Sequence, residues 1–121
     1  MCIAGAAALL ALAVALGAFG AHALRARVAP DALAWWSTAV QYHAWHALGM
    51  LGVGLLMLHW PDARMLAWAA VLFAAGIVLF SGSLYALTLT GARVLGAVTP
   101  VGGVALIAGW IVLASTALRE S

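Results

Sequence analysis

Charged residues occur in this chain only in short clusters, and between the clusters lie four uncharged stretches, each long enough to cross a membrane as a helix. The stretches are read as helices over about residues 2–24, 33–58, 65–89 and 100–118. A helix rises 1.5 Å per residue, so about 20 residues cross a hydrocarbon core of ~30 Å. Lipid offers no partner to free backbone groups, which leaves helices and closed barrels as the only spanning structures. No stretch alternates polar and apolar residues as a barrel strand must. Five Arg and three acidic residues are the only formal charges in 121 residues, of which 68% are apolar. A soluble domain carries about 25% charged residues to cover its surface, against 7% here. The expected class is therefore an all-α membrane protein, an antiparallel up-down bundle of four transmembrane helices forming a single domain over residues 1–121, with the lipid bilayer as its first partner.

The breakers fall where this reading needs connections. Arg25, Arg27, Pro30 and Asp31 mark the first, His59, Trp60, Pro61, Asp62 and Arg64 the second, and Thr90, Gly91 and Arg93 the third. Thr99-Pro100 reads as an N-cap followed by proline at the first helical position. Short connections make consecutive helices antiparallel neighbours. Trp35, Trp36 and Trp60 are expected as interfacial anchors. The first stretch is longer than the apolar run of a signal peptide and lacks its basic leader, so it is read as a membrane helix. Cys2 is the one cysteine, which excludes an internal disulfide and a cysteine-based metal site. The small, scattered net charge of +2 gives no nucleic-acid footprint.

With alternating helix directions, the end of the first helix, the start of the second, the end of the third and the start of the fourth share one side of the membrane. His22, Gln41, Tyr42, His43, His46, Ser81, Ser83, Tyr85, Thr88 and Thr99 all fall there. Polar groups inside a bilayer are costly unless they face inward and find partners. The candidate ligand-binding cluster is therefore His22, Tyr42, His46, Ser81, Ser83, Tyr85 and Thr99, confined to one leaflet. The plainer reading is that these side chains hydrogen-bond across the bundle and hold it together. His43 and His46, spaced i and i+3, are candidate metal ligands together with His22. No carboxylate accompanies them inside a span, and zinc-type sites usually present three or four ligands. No acid pair, phosphate loop or nucleophile with an evident base is present, and no cofactor is indicated. Gly17, Gly20, Gly49, Gly52, Gly82, Gly102 and Gly103 are candidate packing positions, because close approach of small residues is what joins helices in lipid. The same glycines would serve contacts within the bundle or between copies.

Gly17-Ala-Phe-Gly-Ala-His22-Ala-Leu24, Gln41-Tyr42-x-x-x-His46-Ala-Leu48, Phe80-Ser-Gly-Ser-Leu-Tyr85, Thr99-Pro-x-Gly-Gly103 and Gly109-Trp110 resemble, in order and over nearly the whole chain, the small YgdD/YwdK-like membrane proteins, labelled domain of unknown function 423. The resemblance implies a small bacterial inner-membrane protein of four helices with no assigned activity. It marks His22, Tyr42, His46, Ser81, Gly82, Ser83, Tyr85, Thr99, Pro100, Gly102 and Gly103 as motif positions, while His43 lies at a variable one. Arginine counts on the two sides are nearly balanced. The resemblance, through relatives with a more basic second connection and C-terminus, implies that both termini are cytoplasmic. The expected role is a non-enzymatic one, through self-association or as an accessory to a larger membrane complex. The alternative is a lipid, quinone or metal bound in the polar cluster.

Overall fold

A computed structural model describes residues 1–120 and contains four long helices with no strand among the described residues. Helix α1 runs Cys2–Leu24, α2 Pro30–His59, α3 Met65–Thr90 and α4 Thr99–Glu120, the last preceded by a 3-10 turn over Arg93–Ala97. The second helix begins three residues before the expected start. Pro30 occupies its first turn, where a missing N–H costs nothing, and Asp31 beside it meets the positive end of the dipole. Gly91 ends α3 with φ of 70°, a left-handed conformation that a side chain would strain.

Cys2–Leu24, Met65–Thr90 and Arg93–Glu120 are each long and apolar enough to cross a membrane. Helix α2, although 30 residues long, falls short in apolarity because Gln41, Tyr42, His43 and His46 lie in it. It packs against α1 on one side and α3 on the other, antiparallel to both, and so follows them through the same layer. The protein is an all-α membrane protein.

The chain packs serially, α1 on α2, α2 on α3 and α3 on α4. The α3–α4 contact has a regular seam. Phe73 lies against Gly109, Gly76 against Leu106, Phe80 against Gly102, and Ser83 against Thr99. Every step up α3 in this series is matched by an equal step down α4, with the three- and four-residue spacing of a coiled-coil seam. Gly102 makes the closest approach: a Cβ there would overlap the backbone nitrogen of Phe80. Close backbone contact of this kind maximises dispersion, the attraction that remains when lipid removes the hydrophobic drive.

Two segments leave the α-helical winding. Gly20–Leu24 at the end of α1 and Ile77–Ser81 in the middle of α3 are π-wound. The second is where α3 meets both neighbours, Phe80 against Gly102 of α4 and Ser81 against Ala39 of α2.

Candidate functional site

Most of the polar residues singled out from sequence make separate contacts between helices. The wholly buried Ser81 donates its hydroxyl to the Ala39 carbonyl at 2.7 Å. Thr88 reaches the Ala32 carbonyl at 3.2 Å and the Leu84 carbonyl of its own helix at 2.9 Å. Both tie α3 to α2 through backbone acceptors. Ser83 and Thr99 tie α3 to α4, their hydroxyls 2.8 Å apart. Ser83 also faces the Phe80 carbonyl at 2.9 Å and Thr99 the Leu95 carbonyl at 3.3 Å, so two hydroxyl protons serve three contacts. Thr99 is thus engaged with α3 and with the preceding turn, in place of the capping role expected of it.

The imidazoles behave differently from one another. His46 Nδ1 lies 2.6 Å from the Tyr42 carbonyl one turn earlier. A carbonyl only accepts, so Nδ1 carries the proton. The His46 ring packs against Phe73 and Trp110 with centroids 5.9 and 6.1 Å away, while Tyr42 stacks on Phe80 at 4.5 Å. His43 is 2% exposed, and its Nδ1 is 3.2 Å from the Tyr85 hydroxyl of α3. Its Nε2 is buried without a hydrogen-bond partner.

His22 stands apart. It is exposed within the π-wound end of α1. The facing pairs Gly17–Val40 and Gly20–Trp36 set the α1–α2 register and put His22 level with the first turns of α2. At 1.5 Å per residue, that is roughly 17 Å along the bundle from His46. The structure therefore sets Tyr42 and His46, Ser81, Ser83 and Thr99, and Tyr85 and His43 in separate hydrogen-bonded contacts along the helix interfaces, and leaves His22 apart from them. The three candidate metal-ligating histidines do not converge. His43 and His46 lie at the middle of α2.

Among the candidate packing glycines, Gly17 meets Val40, Gly20 meets Trp36, Gly49 meets Trp110 and Phe73, Gly102 meets the backbone at Phe80, and Gly103 meets the Phe80 ring. A Cβ at Gly52 would find nothing within 4 Å, and at Gly82 the nearest atom is the Ile77 carbonyl oxygen at 4.0 Å.

Trp36, expected as an interfacial anchor, has a different place. It is 3% exposed, whereas Trp35 is 41% exposed. Its Nε1 donates to the Leu16 carbonyl of α1 at 2.8 Å, just before the π-wound turn. Its ring lies between Phe19 at 5.7 Å and Tyr85 at 4.6 Å. The signal available in sequence was Gly20: a Cβ there would fall 2.5 Å from the indole ring, so the glycine makes the slot that the tryptophan fills. Cys2 is likewise partly buried, its Sγ 3.4 Å from the Met50 carbonyl.

Two open grooves lie on the surface of the bundle. One, of about 470 Å³, runs between the end of α1 and the start of α2 past Gly17, Gly20, Trp36, Ser37 and Gln41. The other, about 490 Å³, lies near Met1, Cys2, Met50 and Met57. Neither is lined by His46, Ser83 or Tyr85.

Comparison with known proteins agrees with this picture of a membrane helix bundle. The family model described as "Protein of unknown function (DUF423)" matches residues 16–103. The chain is 48% identical over 108 residues to the UPF0382 membrane protein YwdK of Bacillus subtilis, covering 89% of this chain and 88% of that one. It is 43% identical over 106 residues to the UPF0382 inner membrane protein YgdD of Escherichia coli, covering 88% and 80%. No solved structure matches it. With a family model spanning most of its length and relatives this similar across nearly all of it, the chain belongs to the DUF423 family of membrane proteins of unknown function.

Proposed function

We propose that this protein is a non-enzymatic component of the bacterial inner membrane that acts by association, with copies of itself or as an accessory subunit of a larger membrane complex. The observation that supports it most is the use of the polar side chains. Ser81, Ser83, Thr88, Thr99 and Tyr85 are engaged in contacts between helices, so the groups from which a catalytic or binding site would be built are occupied in holding the bundle. Much of what remains outward is apolar surface, including Trp45, Leu48 and Leu55 of α2. In this reading the chain is one transmembrane unit with both termini cytoplasmic. Native mass spectrometry of the protein released from its own lipid tests it. A stable oligomer or a stoichiometric partner is expected, and a strictly monomeric, partnerless particle overturns it.

A second reading rests on one atom. The His43 Nε2 is a buried polar group without a hydrogen bond of good geometry, with the Leu9 backbone of α1 offered to the ring besides Tyr85, and a small ligand reaching it would take a hydrogen bond or a metal bond there. Metal analysis, an optical spectrum and lipid extraction of the purified protein decide it. A stoichiometric ligand lost in His43→Phe supports this reading, and none in the wild-type chain ends it.

A further inference from the structure

Gln41 is exposed on α2 and lines the groove between α1 and α2. The side-chain hydrogen bonds of α2 are made by Trp36, His43 and His46, and its carbonyls at Ala32, Ala39, Tyr42 and Met50 accept others. Gln41 takes part in none among the described residues. Counting along Pro30–His59, it stands within about 5 Å of the middle of the helix. In a ~30 Å hydrocarbon core that is about 10 Å below the nearer headgroups. At that depth an acyl chain has nothing to offer a carboxamide. An unpaired amide in such surroundings is unfavourable by a few kcal/mol.

Whatever fills this groove must bring a hydrogen-bonding group to mid-membrane depth. We infer that the occupant is the same groove of a second copy of this chain, with Gln41 paired to Gln41 across a two-fold axis along the membrane normal. Between copies inserted in the same orientation, each residue finds its counterpart at its own depth. A two-fold contact makes that self-pairing automatic. A carboxamide both donates and accepts, so two of them satisfy each other reciprocally. The exposed part of the walls suits a helix-helix contact: Ala21 of α1 is small, and Ser37 lies one turn from Gln41 on the same face of α2, while Gly17 and Gly20 pack on Val40 and Trp36 within the chain. Arg25 lines the outer end, at the membrane surface, where water screens its charge.

This inference rests on the proposal that the protein acts by association, and it specifies the surface. Single cysteines placed in native membranes test both separately, in a Cys2→Ser background. Ser37→Cys and Ala21→Cys are expected to give disulfide-linked dimers on mild oxidation, whereas Trp68→Cys of α3 and Ile107→Cys of α4, both 62% exposed in the wild-type chain, stay monomeric. Gln41→Leu, which keeps size and removes the amide, is expected to weaken dimerisation in bilayers about five- to tenfold. Linkage through position 68 or 107 but not 21 or 37 overturns this interface and leaves association standing. No linkage at any position, with a monomeric wild-type particle, overturns both. A dimer unchanged by Gln41→Leu, or a monomer holding a stoichiometric lipid-soluble compound that Gln41→Leu releases, also overturns it.

Discussion

The Ser81 hydroxyl lies 2.7 Å from the Ala39 carbonyl and binds α3 to α2 at the last residue of the π-wound segment. The extra residue in the π turn shifts the side chains of α3 against those of its neighbours, and Phe80, one residue earlier, meets Gly102 of α4 at the same level. One short stretch of α3 thus carries the closest contacts to both sides.

Removing that hydroxyl tests its worth. Ser81→Ala is expected to lower stability by about 1 kcal/mol, within the range of interhelical hydrogen bonds in membrane proteins. Reversible unfolding in mixed micelles measures it. Ser81→Val should cost more, because the site is wholly buried and the added methyl groups have no space.

Gly102 is expected to be far less tolerant than Gly52. A side-chain carbon at position 102 meets backbone, which cannot rotate away, so Gly102→Ala should destabilise by more than about 2 kcal/mol. Gly52→Ala meets open space and should change the bundle's stability by less than about 0.5 kcal/mol. Thermal unfolding of the two variants in the same detergent gives the contrast.

Trp36 and Gly20 should behave as one unit. Trp36→Phe removes the bond to the Leu16 carbonyl and should cost about 1 kcal/mol. Gly20→Ala pushes on the indole ring 2.5 Å away and should cost more. In the double variant the smaller ring gives way, so the combined loss is expected to be less than the two single losses added. A double-mutant cycle by unfolding in detergent reads this directly.

The hydroxyl pair joining α3 and α4 gives a second cycle. Ser83→Ala and Thr99→Val each break the 2.8 Å contact, so their effects should overlap by about 0.5–1 kcal/mol. Additive losses would mean that each hydroxyl is satisfied within its own helix, at the Phe80 and Leu95 carbonyls.

Much of the site is legible in the chain, because the cost of a polar group in lipid forces it inward and the alternation of helix directions then fixes its neighbours. Ser81, Ser83, Tyr85 and Thr99 emerge this way. His22 is not placed correctly by the same reasoning. Membrane side is a coarse coordinate, and a histidine at the end of α1 shares a side with His46 while standing three turns away from it. Trp36 departs from expectation for a related reason: a tryptophan near a helix end anchors at the interface by default, and only the glycine facing it on α1 turns the ring inward.

The amino-acid sequence alone determined that the chain crosses lipid as helices, how many there are and in which directions they run, because these follow from the spacing of charges and from the backbone's demand for hydrogen bonds. Rotation of each helix about its axis was decided only in the tertiary structure. That rotation follows from which small residue meets which ring or backbone atom, a matter of ångströms summed over many weak contacts. It set Ser81 on the Ala39 carbonyl, left His43 Nε2 without a partner, and turned Gln41 outward into the membrane.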